Sequence, residues 1–335
     1  MEKATERIPI ENFFNVPIKT SYLVSPDGNY ISYLKPDNDR IHIYVETIDG
    51  KKTTQLTCDT NRSISNYFWA SNNEILYLKG AAQDKNPGIF AVKIDGTNKR
   101  ELISFAKTRI RLISSGPVND DQVLVALNRR DSTVFDAYRL NIQTGELSLL
   151  SENPGNITQW YSDPAGKLRM AIASDGVNET LLYRDKENLK FRAVLTNNFK
   201  SSISPVGFSA DNRCIYALSN QNRDKMALVE LDCVSGKEHR VIYSNPEVDV
   251  SEATYSINRG KLIYAGYETW KKERYYLDDI TRTTFGKLEK LLPNTEIKIA
   301  SSDASEKKFI IRTYTDRNPG SFYLYTLDDN KLVKL

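Results

Sequence analysis

Few residues in this chain are placed to do chemistry, and their spacing points to binding. Arg129 and Arg130 stand together in Asn128-Arg-Arg-Asp131, and doubled guanidinium groups can meet a carboxylate bidentately. Trp270 stands among charges in Glu268-Thr-Trp-Lys-Lys-Glu-Arg274, where an exposed aromatic would mark a contact surface. These three are the candidate substrate or partner contacts. An acidic or amide residue also recurs as Asp39, Asp84, Asp131, Asn178, Asp224, Glu273 and Asp316, with Arg40, Lys85, Arg130, Arg223 and Arg317 beside several of them. A charged rim gripping a ligand is one reading. Recurrence favours the other, in which each carboxylate caps a turn by accepting backbone N–H groups. Asp27 in Ser25-Pro-Asp-Gly28 belongs to the same kind of turn.

Several chemistries lack their parts. The two histidines, His42 and His239, fall far apart, with no Cys or His ligand partner in view, so no metal site is expected. No Gly-x-Ser-x-Gly elbow and no Gly-rich phosphate loop occurs. The chain alone therefore reads as no enzyme, and no cofactor is expected. Three cysteines make no disulfide framework. Cys214 and Cys233 would fall on neighbouring strands, where a bridge is conceivable but an ordinary strand thiol is the commoner case; Cys58 has no obvious partner. A formal net charge of +3 without a basic block argues against nucleic acid. No apolar run reaches the length of a membrane span. The amino terminus, Met-Glu-Lys-Ala-Thr-Glu-Arg, has no apolar signal core. That reads as cytoplasmic as written, or as periplasmic or secreted if an export signal has been removed.

The elements that must position these residues repeat. A polar turn followed by an apolar strand returns at Ser25-Pro-Asp-Gly-Asn-Tyr-Ile-Ser-Tyr33, Ala70-Ser-Asn-Asn-Glu-Ile-Leu-Tyr77 and Val118-Asn-Asp-Asp-Gln-Val-Leu-Val125. It continues at Asp163-Pro-Ala-Gly-Lys-Leu-Arg-Met-Ala171, Ser209-Ala-Asp-Asn-Arg-Cys-Ile-Tyr216, Ser256-Ile-Asn-Arg-Gly-Lys-Leu-Ile-Tyr264 and Ser302-Asp-Ala-Ser-Glu-Lys-Lys-Phe-Ile-Ile311. The steps are about 44 to 48 residues, a period that signals propellers and solenoids. In the first copy, Ser21–Val24, Tyr30–Leu34, Ile41–Thr47 and Thr53–Leu56 read as four strands. Ile41, Ile43 and Val45 would share one face, and His42, Tyr44 and Glu46 the polar other. Asp49-Gly50 is a hairpin signal. It returns as Asp95-Gly96, Thr144-Gly145 and Ser235-Gly236, and is replaced by Asp185–Asn188, Asp278–Thr281 and Asp328–Asn330. No segment shows a sustained helical period. Nineteen Tyr against three Met also suit pleated strands.

The expected fold is all-β: a seven-bladed β-propeller with four antiparallel strands per blade. Residues 1–18 form a lead-in and 19–335 the propeller, with blades at about 19–58, 64–104, 109–152, 156–198, 203–245, 251–293 and 296–335. The last copy ends in its own fourth strand, Lys331–Leu335, and the first copy already has four. The ring is therefore expected to close without a shared strand, by packing of blade one on blade seven. A strand from Ile8–Phe14 paired into blade seven would refute this. Trp69 and Trp160 occupy equivalent first-strand positions and read as core.

The order of these blades resembles the amino-terminal propeller of the prolyl oligopeptidase family of serine peptidases, in its acylaminoacyl-peptidase and dipeptidyl-aminopeptidase-like branch. The residues that carry the resemblance are Ile8-Pro-Ile-Glu-Asn-Phe-Phe14, Ser25–Tyr33, Tyr67-Phe-Trp-Ala70 before Ile75–Leu78, and Asn128–Asp131 before Tyr138–Asn141. Asn153-Pro-Gly-Asn156, Asp175-Gly-Val-Asn178 and Arg312–Arg317 complete them. The Gly-His and Trp-Asp pairs of WD repeats and the double glycines of kelch repeats are absent. The resemblance implies a gating, substrate-selecting propeller whose partner, an α/β-hydrolase domain carrying every catalytic residue, would follow Leu335. Short peptides would be the substrates, and the full-length protein would be a serine peptidase. The adjacent glutamates that some members use to hold a substrate amino terminus have no counterpart here. Dipeptidyl, acylaminoacyl and endo-oligopeptidase specificities therefore stay open. The alternative is a free-standing propeller that binds a protein or peptide as a scaffold. A propeller enzyme with carboxylates in its channel ranks last, because the first strands read as apolar and aromatic.

Overall fold

The polar turns bring each strand back against its predecessor. Ser25 N–H bonds to the carbonyl of Tyr30, and Gly28 closes the turn at φ +71°. In the computed structural model, which describes residues 9–10, 18–37, 40–58, 63–80, 87–104, 108–113 and 121–335, the strands form seven sheets. Blade one holds β1 (Thr20–Val24), β2 (Tyr30–Asp37), β3 (Arg40–Thr47) and β4 (Thr53–Gln55). Blade two holds β5 (Ser63–Ser71), β6 (Glu74–Gly80), β7 (Gly88–Lys93) and β8 (Arg100–Ile103). Blade three holds β9 (Ile110–Leu112), β10 (Gln122–Leu127), β11 (Asp136–Asn141) and β12 (Leu147–Ser151). Blade four holds β13 (Ile157–Ser162), β14 (Leu168–Ser174), β15 (Glu179–Tyr183) and β16 (Arg192–Asn197). Blade five holds β17 (Ile203–Phe208), β18 (Cys214–Ser219), β19 (Ala227–Asp232) and β20 (Glu238–Tyr243). Blade six holds β21 (Val250–Ser256), β22 (Lys261–Glu268) and β23 (Lys272–Tyr276), followed by helix α1 (Asp279–Leu291). Blade seven holds β24 (Glu296–Ser302), β25 (Lys308–Tyr314), β26 (Ser321–Thr326) and β27 (Lys331–Lys334). This is the seven-bladed propeller expected from the repeat. None of its helices is long and apolar enough to cross a membrane among the described residues.

Blade six departs from the expected pattern. Its sheet has three strands, and α1 follows where a fourth strand was read. Asp278 caps the helix by accepting the N–H of Thr281, and Pro293 follows its last turn. Thr281, Thr284, Phe285 and Leu288 are buried, so Asp278–Thr281 is a helix start rather than a hairpin turn. Phe285 packs edge-on to Tyr264, with ring centroids 6.0 Å apart.

The core is not one cluster but seven, each shared by two consecutive blades. Successive side chains of a strand point to opposite faces, and here both faces are covered. Ile75 and Tyr77 pack toward blade one, and Leu76 between them packs toward blade three. Val123 and Val125 pack toward blade two, and Leu124 toward blade four. Two-sided burial makes the second strands near-continuous apolar runs. His42, expected on a polar strand face, is also buried, near Thr57 of its own blade.

Polar ties reinforce the same interfaces. The indole N–H of Trp69 donates to Ser32 Oγ at 2.9 Å, and that of Trp160 to the carbonyl of Phe135 at 2.9 Å. Each buried tryptophan reaches the preceding blade, as befits core. Arginines reach forward: Arg100 Nη2 donates to the Ile142 carbonyl at 2.8 Å, and Arg274 Nη2 to that of Ile297 at 2.6 Å.

Blade one meets blade seven through Tyr22, Val24, Ile31 and Tyr33 on one side and Ile310 and Leu324 on the other. Three hydrogen bonds cross this seam: Val24 N–H to Ser301 Oγ at 3.2 Å, Ala304 N–H to the Pro26 carbonyl at 2.8 Å, and Lys308 Nζ to the Gly28 carbonyl at 2.8 Å. The described strands of each sheet are consecutive, so none is shared across the seam. The segment Ile8–Phe14 lies outside the described residues except for Pro9 and Ile10.

Two stability predictions follow from this packing. Ile310→Ala empties a fully buried seam position and should cost about 2–5 kcal/mol in urea denaturation. Hydrogen exchange in that variant should rise in blades one and seven before blade four; uniform exchange would mean the seam is no weaker than other interfaces. Gly320 has φ +107°, and a Cβ there would lie 1.7 Å from the Thr313 carbonyl oxygen. Gly320→Ala should therefore destabilise by more than about 1 kcal/mol.

Candidate functional site

In an antiparallel meander, alternate connections lie at opposite ends of the sheet. The loops between second and third strands share one end with the blade-to-blade linkers. The turns after the first and third strands occupy the other. At the linker end, three loops lift apolar side chains into solvent. Val177 lies between β14 and β15, Phe199 links blades four and five, and Trp270 lies between β22 and β23. Phe199 is 76% exposed and Trp270 86%. The turn end also exposes apolar residues, Leu189, Val234, Ile257 and Ile280, but no Phe or Trp is among them.

The Trp270 loop is held from beneath. Glu268 pairs with Lys272 in the ladder, and Thr269 N–H bonds to the Lys271 carbonyl at 3.0 Å. Glu273 accepts from Thr269 Oγ1 at 2.8 Å and Tyr267 Oη at 3.2 Å. Lys271 Nζ stands 4.9 Å from the indole centroid. Tyr243 stacks on Tyr275 at 4.2 Å and leans on Tyr267 at 5.8 Å, joining blades five and six. Burial, then the neighbouring Tyr243 and Glu273, push the Tyr267 hydroxyl up to about 12, so it stays a donor.

Of the two arginines, Arg129 is exposed and Arg130 is engaged. Arg130 meets the buried Asp136 through Nε at 3.0 Å and Nη2 at 2.9 Å, and Nη2 also donates to the Asn153 carbonyl at 2.8 Å. Asp136 accepts the Asn153 N–H at 2.7 Å as well. This bidentate grip is thus made within the fold, where it anchors the linker to blade four. Arg130 also borders an open groove of about 1170 Å³ between blades three and four, with Leu149, Arg184, Glu187 and Phe191. Arg129 and Trp270 share the linker end but stand three blades apart, so the fold does not bring them together.

The turn acids divide. Asp27 accepts from Ser25 Oγ at 2.6 Å, Asn29 N–H at 3.1 Å and Asn29 Nδ2 at 2.8 Å. Asp131 accepts from Thr133 N–H at 2.8 Å and Thr133 Oγ1 at 2.7 Å, and these bonds hold its carboxyl below the usual range. Asp224 projects into solvent beside Lys225 Nζ at 3.1 Å, and Asp316 lies 3.8 Å from Arg317 Nε. Asp39 and Asp84 lie outside the described residues. His239, read as having no ligand partner, is brought beside Asp232 and Cys214. All three cysteines are free thiols.

The turn end of blades six and seven encloses a cavity of about 280 Å³, lined by Tyr255, Arg259, Tyr264, Ile280, Thr284 and Phe309. Its charges are anchored on Asp278, which accepts from Arg259 Nη1 at 2.7 Å, Lys261 Nζ at 2.6 Å, and Thr281 N–H and Oγ1 at 2.8 Å each. Arg259 Nε also meets Glu306 of blade seven at 2.6 Å. Burial pushes the Asp278 carboxyl up, but the bonds from Lys261, Arg259 and Thr281 outweigh it and hold it far below the usual carboxylate range. Sequence reading missed this network; Asp278 ahead of the spaced Thr281, Phe285 and Leu288 was the available signal.

Comparison with known proteins places this geometry. No protein-family model matches the chain. Dipeptidyl aminopeptidase BIII of Pseudoxanthomonas mexicana is 25% identical over 99% of this chain and 48% of its own length. Dipeptidyl peptidase family member 6 of Caenorhabditis elegans is 22% identical over 96% of this chain and 46% of its own length. The chain thus spans about half the length of these curated relatives. Among solved structures, prolyl oligopeptidase B from Galerina marginata superposes with a TM-score of 0.64 over 94% of this chain and 50% of its own, at 12% identity, a likeness of fold.

The Asp278 network predicts a pH dependence. A carboxyl depressed in the folded state stabilises above its unfolded value of about 4, and that contribution is lost as pH falls toward the folded value. Asp278→Asn should cost about 2–3 kcal/mol near neutrality, less than a fully buried pair because Lys261 is half-exposed. The gap to the parent protein should narrow as pH falls below about 4. A pH-independent gap in urea melts would show that the loss does not come from the charge of the carboxylate.

Proposed function

We propose that this chain, a propeller of the prolyl oligopeptidase family homologous to dipeptidyl aminopeptidases, gates and selects substrate for a serine oligopeptidase. The observation that carries this reading is near end-to-end alignment with about half of a dipeptidyl aminopeptidase. The partner is an α/β-hydrolase domain continuing past Leu335, and the substrates are short peptides. The propeller does no chemistry. It confines and orients a peptide while excluding folded chains.

Chain direction supports the docking end. β27 is the fourth strand of its blade and runs toward the linker end. A continuation past Leu335 would leave beside the face that exposes Phe199 and Trp270. Large exposed aromatics of this kind mark contact surfaces. Arg129 and Trp270 are accordingly proposed as partner or substrate contacts, and Arg130 as the support of the loop that carries Arg129.

The deciding experiment is the intact mass of the native gene product, captured with an antibody to this propeller. A product roughly twice the length of these 335 residues, releasing dipeptides from unblocked peptides and labelled by a serine-directed phosphonate, is expected. A product ending near Leu335 without such activity would replace the reading with a free-standing binding module. Acrylamide quenching tests the docking end. Trp69 and Trp160 are buried and Trp270 exposed, so one tryptophan in three should be quenched in this chain. Trp270→Phe should remove that fraction, and the longer product should shield it. An unshielded Trp270 there would place docking elsewhere.

A further inference from the structure

Three ligand types converge at the turn end of blade five. Cys214 opens β18 immediately after its turn, and Asp232 closes β19 directly opposite it in the ladder. The third residue arrives through an irregularity. Arg240 of β20 faces Glu230 and Glu238 faces Leu231, which leaves His239 as an extra residue between them. Such a bulge re-aims a side chain. Here it brings His239 Nε2 to 3.7 Å from Asp232 Oδ2. A sulfur from Cys214, a carboxylate oxygen from Asp232 and an imidazole nitrogen from His239 all lie within 4.8 Å of one another.

The cluster is built as well as convergent. Oδ1 of Asp232 is fixed by Val234 N–H at 3.1 Å, Ser235 N–H at 2.6 Å and Ser235 Oγ at 2.7 Å. That pins the carboxylate and leaves Oδ2 directed at the histidine.

We propose that Cys214, Asp232 and His239 form a three-ligand site for a thiophilic divalent cation, zinc foremost. One sulfur, one nitrogen and one oxygen ligand fit a tetrahedral zinc whose fourth position stays open to water. Zinc–ligand bonds of about 2.0–2.3 Å place tetrahedral ligand atoms about 3.3–3.8 Å apart. Closure from the observed spread therefore asks for a shift of about 1 Å, and His239, 56% exposed at its side chain, is free to make it. The ion would join β18, β19 and β20 where their ladder is irregular. It would lie at the opposite end of the blade from the aromatic face. The competing account makes Asp232 a turn residue with a surface histidine beside it, and predicts no stoichiometric metal.

Cobalt titration of the 335-residue chain decides between them. The expected result is a thiolate-to-cobalt charge-transfer band with tetrahedral visible absorption, saturating at one equivalent and displaced by zinc. Cys214→Ser should abolish the band. His239→Ala and Asp232→Asn should each weaken zinc binding at least tenfold, the asparagine retaining the Oδ1 acceptor of the turn. Cys58→Ser, at the exposed thiol, should change nothing. Zinc should raise the melting temperature of the parent chain but not that of Cys214→Ser, a readout independent of any folding defect. No band at one equivalent, or a band that survives Cys214→Ser, overturns the site.

Discussion

Everything in this molecule depends on blades that cannot stand alone. Each sheet is apolar on both faces, and each face is covered by the neighbouring blade. A single four-stranded sheet would leave two such faces in water, so stability must come from completing the circle. The seven clusters are therefore the fold's real units, and the blades are the walls between them. Radial stacking also answers part of the edge problem, since some outer strands are short: β4 has 3 residues and β27 has 4. In blade six a helix takes the place of the outer strand. Its apolar face adds Phe285 and Leu288 to the cluster shared with blade seven, so the interface keeps its core while the ladder loses a strand.

The same constraint decides which residues are free to act. A side chain near a blade interface is drawn into holding it, and Arg130 shows how. Its guanidinium could have met a substrate carboxylate, but it is already held bidentately by the buried Asp136. The neighbouring Arg129 keeps its charge in solvent because the loop turns there. What the interfaces leave exposed includes loop tips such as Trp270 and Phe199.

Much of this was legible in the sequence. The period, the Asp-Gly and Ser-Gly hairpins and the two core tryptophans all follow from local rules, and those rules hold when every repeat obeys them. Failures came where tertiary context overrode the local pattern. His42 follows an alternating strand whose second face looked polar, yet it is buried beside Thr57 of its own blade. Helix α1 was hidden by expectation of a repeat, although Asp278, Phe285, Leu288 and Pro293 carried a helix signature. The meeting of His239 with Cys214 could not be read at all. It depends on a one-residue bulge in β20, and a bulge leaves no mark in strand periodicity.

The ring closes between its first and last blades, and this places the start of β1 and the end of β27 at one interface. β1 starts and β27 finishes at the linker end of adjacent blades, and Leu335 itself packs into the seam cluster with Tyr22 and Phe322. A domain hung from Leu335 would therefore lie over the interface where, among the described residues, three hydrogen bonds cross and Tyr22, Val24, Ile31 and Tyr33 pack against Ile310 and Leu324. Closing that interface with a shared strand would make the ring rigid. Closing it by side-chain packing makes its opening depend on contacts that a docked domain can add or withdraw. In the gating proposed above, the free energy that separates open from closed would be the burial of a few side chains, Ile310 among them.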